Sequence, residues 1–446
     1  MQKFQTQKPN TMKRLLTILV IIFSFNLVFA QSGVQVNFDQ LKKKVEKSNE
    51  DTQNPKKNIK EGTWISRAEL MMNVYESQIL NTRVGMSVTE FTLIAGQPKE
   101  RIQEEQEGVP VEKFIMDRAI FYFVNQQLER WEVLNPVVEN PLNLSLESLK
   151  KAIEIDVKGK KTKDISADLS RLKNLYITEG SNSYSFKKYD VAYNHFNTVI
   201  SIGSMPQLNH KDTVIYYYTG LSAQLAGKNQ EAVDLYKQAI DLGYSSEGNA
   251  YFNIDEAYKA LGDSDSGLSY LEQGFIKYPK NQNVLFSLIN HYLTKGDDPS
   301  KILTLLDRAI NDEPGNASLH FAKGTLYDKL GNIEEAVACY SKATEVNPQY
   351  FDAYYNIAAI YFNKGVKLQE EANKVPAREI EKYDELMAKS NVEFKNSLPY
   401  MLKAYEVRPN DRNTIESLKN IYFRFRTESE EMNSKFNEFN EKLKSL

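Results

Sequence analysis

The sequence predicts a mostly α-helical protein, a solenoid of stacked helical hairpins with a small α+β insert near the N-terminus. Small or compact residues recur at a nearly fixed interval of 35, 35 and 34 residues: Ala232, Gly267, Ile302 and Ala336. A second series keeps the same three spacings: Ala239, Gly274, Ala309 and Ala343. A fixed period of this length is typical of an array whose units stack on one another.

Within one period, apolar residues fall at helical intervals. Leu319, Gly324 and Tyr327 share one face of a first helix. Pro348 ends the unit, because proline cannot continue a helix. Small residues at Gly324 and Ala336 would let the two helices of the unit approach closely. A hairpin of this kind cannot bury its apolar face alone, so copies must stack.

This unit resembles the tetratricopeptide repeat at six positions: Gly324, Tyr327, Ala336, Tyr340, Ala343 and Pro348. His320 stands where that repeat has tryptophan. Five units in near-constant phase occupy residues 173–350. The resemblance implies an array of helical hairpins with a concave groove that binds protein or peptide partners.

The resemblance also implies which side chains face the groove. In the tetratricopeptide fold, the residue after the tryptophan position of each first helix does so, and here each is aromatic: Tyr217, Phe252, Phe286, Phe321 and Tyr355. Three asparagines beside this row would hydrogen-bond to a peptide backbone: Asn253, Asn290 and Asn356. Aromatic rings offer large contact area with few rotors, which suits binding. The competing interpretation is that these rings pack against the next unit.

The array ends in an unusual unit. Ala343 and Ala404 lie 61 residues apart, so residues 351–409 are predicted to form an elongated hairpin, with Pro399 kinking its second helix. Residues 410–446 are predicted to form a capping helix, because the last unit of a solenoid has no neighbour.

Residues 80–140 break the repeat. Ser87 and Glu90 form a capping box at the start of a short helix, which Gly96 and Pro98 end. Three strands follow between residues 111 and 134, with a hairpin turn at residues 124–127. Helical segments flank this part on both sides. Residues 61–79 are therefore predicted as the first helix of a split unit, residues 141–172 as its remainder and a linker, and the insert as separable.

The insert resembles the BamE (SmpA/OmlA) family of small outer-membrane assembly lipoproteins. The resemblance rests on eight residues: Gly85, Met86, Gly96, Pro98, Phe121, Phe123, Leu128 and Trp131. It implies one helix followed by a three-stranded antiparallel sheet. The lipid-bearing cysteine of that family is absent.

The N-terminus predicts export. Lys13 and Arg14 precede an apolar run from Leu15 to Ala30, as in a cleaved secretory signal covering residues 1–30. Residues 31–60 are polar and are predicted to be a flexible leader. The mature protein is expected in the periplasm of a diderm bacterium, with secretion or surface association as alternatives, and without a stable membrane anchor.

Composition argues against several classes of function. The 446 residues carry 56 basic and 59 acidic side chains, so the basic excess of a general nucleic-acid binder is missing. Cys339 is the only cysteine, and the four histidines are scattered: His195, His210, His291 and His320. We therefore expect no catalytic residues, no metal and no cofactor.

The sequence thus favours a non-enzymatic, exported scaffold or adaptor that binds proteins or peptides in its groove. The alternative is a cell-envelope assembly factor, at the outer membrane or cell surface, that binds through the insert. The identity of the partner and the oligomeric state stay open.

Overall fold

A computed structural model describes residues 36–295 and 299–445. They fall into two compact units, the first ending at Ser245 and the second beginning at Ser246. The signal sequence predicted at residues 1–30 lies outside the described residues and stays a prediction. No described helix has both the length and the apolar character needed to cross a membrane.

Unit 1 contains eight helices and one sheet among its described residues. Its helices are α1 (Phe38–Gln53), α2 (Glu61–Gln78), α3 (Val88–Ala95), α4 (Pro141–Ile155), α5 (Thr162–Ser185), α6 (Tyr189–Gly203), α7 (Thr213–Leu225) and α8 (Asn229–Asp241). Its strands are β1 (Glu100–Gln106), β2 (Val109–Ile115), β3 (Ala119–Val124) and β4 (Gln127–Val133), which form an antiparallel sheet in that order.

Unit 2 is helical in its described residues. Its ten helices are α9 (Asn249–Ala260), α10 (Ser264–Lys277), α11 (Gln282–Lys295), α12 (Ser300–Asp312), α13 (Ala317–Leu330), α14 (Ile333–Val346), α15 (Phe351–Ala372), α16 (Ile380–Val407), α17 (Arg412–Phe425) and α18 (Glu430–Lys444).

The helices pair into closely packed hairpins, which confirms the predicted fold class. At Gly324 of α13, an added Cβ would lie 2.7 Å from the ring of Tyr340 on α14. At Gly180 of α5, it would lie 2.6 Å from the ring of Phe196 on α6. The glycine of the first helix and the ring of the second fill one space, so the period in the sequence reflects a packing requirement.

The two helices of the α9–α10 hairpin also approach closely, but here the larger residue lies on the first helix and the glycine on the second. Asp255 stands on the first helix where other units have glycine, and it is fully buried. On the second helix, an added Cβ at Gly267 would lie 2.6 Å from Asp255 Oδ1. Burial raises the pKa of Asp255, and its ion pair with Lys259 at 2.6 Å opposes that shift. Glycine replaces the usual alanine here because Asp255 needs the space.

The elongated hairpin predicted at residues 351–409 is present as α15 and α16, of 22 and 28 residues. Ser390 and Ser397 of α16 donate hydrogen bonds to α15 carbonyls, each at 2.8 Å. The single capping helix predicted at 410–446 is wrong, because two helices, α17 and α18, form a further hairpin. Ser429 caps the second of them, and Phe439 stacks on Tyr422 with ring centres 5.6 Å apart.

Two boundaries near the N-terminus also differ from expectation. The segment predicted as a flexible leader contains α1, which begins after a cap at Asn37 and has no buried residue. Arg67 of α2 holds it with hydrogen bonds to Ser48 and Asn49, at 3.1 and 2.8 Å. The predicted linker ends earlier than expected, since α5 already begins at Thr162. Helix α1 was not predicted because its few apolar residues give no clear helical pattern in the sequence.

The insert contains the predicted helix but four strands instead of three. The capping box is formed, since the Ser87 side chain accepts from the Glu90 amide and the Glu90 side chain accepts from the Ser87 amide. The turn between β3 and β4 is also formed, with left-handed φ values of 50° and 62° at Asn125 and Gln126. The missed strand, β1, pairs with β2 along its whole length.

The insert shares one core with the helices around it. Phe91 of α3 contacts the rings of Phe114, Phe121 and Phe123 at 5.6, 4.8 and 5.2 Å. The same buried cluster includes residues from four flanking helices: Tyr75, Leu149, Leu172 and Phe196. The expectation of a separable insert is therefore corrected: the insert is continuous with the core of unit 1.

Candidate peptide-binding surface

The eight residues predicted to face a groove lie in both units. Tyr217 belongs to unit 1, on α7, and the other seven lie on the first helices of hairpins in unit 2. The structure divides them by burial into interior residues and residues that keep contact with solvent.

Tyr217 is an interior residue. Its exposed fraction is 1%, and its ring contacts those of Tyr218, Tyr236 and Tyr244 at 5.3, 5.6 and 5.5 Å. Three aromatic neighbours therefore enclose it, and its prediction as a groove residue is corrected to a core residue.

Phe321 is also an interior residue, with an exposed fraction of 8%. Its ring contacts Phe286 of α11, Tyr340 of α14 and Tyr350 just before α15, at 5.9, 5.2 and 5.1 Å. These neighbours come from three successive hairpins. Phe321 thus joins the hairpins to one another, as the competing interpretation predicted, and is corrected to a core residue.

The remaining six residues keep contact with solvent, and we call them the aromatic–amide surface: Phe252, Asn253, Phe286, Asn290, Tyr355 and Asn356. Asn290 is exposed and the other five are half-buried. Tyr355 stacks on Phe351, one turn earlier on α15, with ring centres 5.8 Å apart. Phe351 thus supports one side of the Tyr355 ring, and all three rings keep accessible area for a ligand.

A second polar row, which the sequence reasoning missed, runs along the N-terminal ends of the first helices of unit 2. The Asn249 side-chain oxygen accepts hydrogen bonds from Asn281 and Asn283, at 3.0 and 3.2 Å. Gln282 donates to Ser318 Oγ and to Tyr350 Oη, each at 3.3 Å. The amide and hydroxyl side chains that recur at the starts of these helices could have revealed this row in the sequence. Uncharged donors and acceptors of this kind are suited to a peptide backbone.

Two lysines on the first helices of unit 2 are paired with carboxylates. Lys259 lies 3.0 Å from Glu256 as well as 2.6 Å from Asp255, and Lys323 lies 2.5 Å from Asp307. The aromatic–amide surface itself carries no charged residue. Its chemistry therefore favours a neutral, extended ligand over one recognised by its charge.

The histidines and the cysteine do not come together. His195 is half-buried beside Tyr176, and partial burial lowers its pKa. His320 contacts the Pro314 carbonyl at 3.1 Å, and burial raises the pKa of the half-buried Cys339 thiol. Among the residues that the structure describes, no three His, Cys, Asp or Glu side chains are grouped as a metal site requires.

The insert offers less free surface than a separate module would. Asn182 of α5 pairs with the edge strand β4, accepting from the Trp131 amide at 2.9 Å and donating to the Trp131 carbonyl at 3.2 Å. On the sheet face opposite α3, the Phe186 ring lies 5.4 Å from that of Tyr122 and 5.2 Å from the Arg130 guanidinium. One sheet face, one edge and part of the other face are therefore occupied within unit 1.

Residues 324–365 match the model of the TPR repeat family. This segment is similar to tetratricopeptide repeats. A scaffold for protein interaction is the class of function that fits such repeats. The resemblance of the insert to the BamE family is not shown by these comparisons.

Two curated relatives are similar to parts of the chain. A TPR repeat-containing protein of Methanocaldococcus jannaschii is 24% identical over 292 residues, which is 60% of this chain and 50% of that protein. The photosystem I assembly protein Ycf3 of Rippkaea orientalis is 31% identical over 86 residues, 18% of this chain and 50% of that protein. The chain thus spans about half the length of these relatives.

Solved structures with tetratricopeptide repeats are similar to parts of the chain. A TPR repeats protein from Bacteroides fragilis is 23% identical, covers 56% of this chain and 97% of its own, and has a TM-score of 0.29. A TPR protein described as having an unusual peptide-binding site is 18% identical, with coverages of 46% and 95% and a TM-score of 0.28.

Proposed function

We propose that the protein is a non-enzymatic, exported scaffold that binds an extended peptide segment of a partner protein on the aromatic–amide surface of unit 2. The periplasm of a diderm bacterium is its proposed location, with the signal cleaved after Ala30. An intact mass beginning at Gln31 after export from such a host is the expected outcome, and a mass that retains Leu15–Ala30 would contradict it.

One observation carries the binding proposal. On α9, α11 and α15, the aromatic residue of the repeat is half-buried and accompanied by asparagine, whereas Phe321 of α13 is withdrawn into the core. A ring that still has accessible area can bury more of it against a ligand. An asparagine amide carries both donors and an acceptor, as the backbone of an extended peptide does.

The test separates binding from folding by comparing rings of different burial. A random peptide library displayed on phage is selected on the full chain, and affinities of the enriched peptides are then measured. Phe286→Ala and Tyr355→Ala are expected to weaken binding about tenfold or more, as truncated hot spots do. Phe321→Ala should instead lower the free energy of unfolding by roughly 3–5 kcal/mol.

The matched control is Phe423→Ala on α17, an exposed aromatic residue of unit 2 outside the aromatic–amide surface. It should leave the affinity unchanged and cost only a small part of the stability, through the lost contact with Phe436. The proposal fails if no peptide is enriched, or if the enriched peptides bind the Phe286 and Tyr355 variants as tightly as the parent.

A further inference from the structure

Two loops of unit 1 combine lysine with exposed aliphatic side chains. Residues 54–60 read NPKKNIK and residues 156–163 read DVKGKKTK. Together they contain seven lysines: Lys56, Lys57, Lys60, Lys158, Lys160, Lys161 and Lys163. The first loop leaves Ile59 with 67% of its surface exposed, and the second leaves Val157 with 89% exposed. Single exposed aliphatic residues are common, but here both coincide with lysine-rich turns.

The two loops lie at the same end of unit 1, because α2 and α4 pack antiparallel. Ser145 of α4 donates to the Ala68 carbonyl in the middle of α2, at 3.0 Å. Gln78, at the end of α2, accepts from the Val137 amide just before α4, at 2.7 Å. The start of α2 therefore lies beside the end of α4, where the loops are. Asp164 raises the pKa of Lys161, with a smaller contribution from Glu61 at the start of α2.

Hydrogen bonds within the loops order the backbone next to both aliphatic side chains. In the first loop, the Asn58 carbonyl accepts a hydrogen bond from the Trp64 indole at 2.8 Å. The backbone amide of Asn58 donates to the Asn54 carbonyl at 2.9 Å. In the second, the Asp156 carboxylate accepts from the amides of Lys160 and Lys161, at 2.8 Å each. Ile59 and Val157 are thus held by ordered turns.

The acidic groups of this region neutralise only part of the positive charge. Asp51 pairs with Lys57 at 2.6 Å, and Asp164 pairs with Lys161 at 2.9 Å. Five lysines have no ion-pair partner within the described part of the chain: Lys56, Lys60, Lys158, Lys160 and Lys163. We call the two loops together the lysine-rich corner.

We propose that the lysine-rich corner is a docking site for an anionic phospholipid surface. The unpaired lysines are attracted to acidic headgroups, and this attraction acts over about 8 Å at physiological ionic strength. Ile59 and Val157 insert their branched side chains below the headgroups, where apolar groups are stabilised. Such contact is reversible and peripheral, and it would bring the protein to a membrane surface.

The test measures partitioning of the full chain onto phosphatidylcholine vesicles with and without phosphatidylglycerol. Binding is expected to be stronger on the anionic vesicles and to weaken as salt is added. The triple variant Lys158→Gln/Lys160→Gln/Lys163→Gln should lose at least about tenfold of the anionic preference, since each lysine near the surface contributes to attraction. The double variant Ile59→Ser/Val157→Ser should lose binding severalfold at all salt concentrations.

Two matched controls keep the result specific. Lys367→Gln/Lys374→Gln/Lys382→Gln removes the same charge from the long hairpin of unit 2, and Leu93→Ser removes an exposed aliphatic side chain from α3. Both should bind as the parent does. Equal losses in the controls, or no loss in the corner variants, would overturn the proposal. Tight binding to polyglutamate that ignores Ile59 and Val157 would assign the corner to an acidic protein and would also overturn it.

Discussion

Two segments of this protein are additions to the repeat pattern, and they are accommodated in opposite ways. The insert between α2 and α4 packs its rings into the core of unit 1 and pairs its edge with Asn182. The extension of α15 and α16 leaves Ile380 and Val392 mostly exposed, at 65% and 56%. Its neighbours α14 and α17 have only 14 residues each, so the longer helices run past them. An addition therefore becomes part of the core when its own apolar face meets that of a repeat.

Replacing residues 81–139 with a short Gly/Ser linker is expected to have the largest effect. The deletion uncovers Tyr75 and Leu172, which share the cluster with the insert, and a domain is stable by only roughly 5–15 kcal/mol in total. Unit 1 should lose its cooperative unfolding transition. Both tryptophans, Trp64 and Trp131, lie in this unit. Because the linker removes Trp131, Trp64 fluorescence reports the result.

The matched control shortens the other addition. Replacing residues 370–388 at the tip of the long hairpin removes mostly exposed side chains, so the unfolding transitions of both units should persist with small shifts. The comparison fails if the linker variant of the insert melts cooperatively at the parental temperature, or if shortening the hairpin unfolds unit 2.

Local sequence signals predicted much of the insert, and burial explains the misses. The capping box of Ser87 and Glu90 and the turn at Asn125 and Gln126 depend on neighbouring residues only, so both were predicted. Strand β1 was missed because its sequence, ERIQEEQ, lacks the alternation of a half-buried strand. Its side chains are mostly exposed at the sheet edge. Pairing with β2, which is a property of the folded sheet, makes it a strand.

The candidate site was predictable only in part, for a related reason. Phe286 and Phe321 occupy equivalent positions in neighbouring repeats and have the same chemistry. Tyr350 closes over Phe321 from the following hairpin, at 5.1 Å, and this contact removes it from the surface. The sequence period gives the position of a side chain within a unit. The depth of that side chain depends on residues of the next unit that do not follow the period.

Asn182→Ala, which removes the hydrogen bonds between α5 and strand β4 of the insert, should destabilise unit 1 by an intermediate amount. It leaves the amide and carbonyl of Trp131 without their partner, and each unsatisfied buried group costs about 1–3 kcal/mol. We expect unit 1 to lose about 2 kcal/mol, measured by urea unfolding followed by tryptophan fluorescence. Ser390→Ala is the counterpart in the hairpin, where one bond to the Gly365 carbonyl is lost. Ser390→Ala should leave the unfolding transition reported by tryptophan fluorescence unchanged. Equal shifts of this transition in the two variants would show that Asn182 has no special role.

The smallest expected effect is the pH dependence of stability, which has opposite sign in unit 1 and in the long hairpin of unit 2. Burial, with the nearby Glu69 carboxylate adding to it, raises the pKa of Asp168 on α5 from the usual 3.8 to about 6. The folded state therefore prefers the protonated form. The stabilisation is complete below about pH 4 and is lost as pH rises through about 6. In the hairpin, Lys389 lowers the pKa of Glu385, so its contribution is present at neutral pH and is lost on acidification.

Asp168→Asn should remove most of the stability loss that unit 1 shows as pH rises through about 6. The variant is expected to gain about 1 kcal/mol over the parent near neutral pH, after allowing for partial solvent screening of the carboxylate, and little near pH 4. Urea unfolding at both pH values, followed by tryptophan fluorescence, measures the difference. Buried Glu129 and Glu179 also have raised pKa values, so the variant keeps a weaker slope of the same sign. Glu385→Gln should leave this transition unchanged at either pH. An Asp168→Asn variant with the parental slope would show that the carboxyl group is already hydrated in the folded protein.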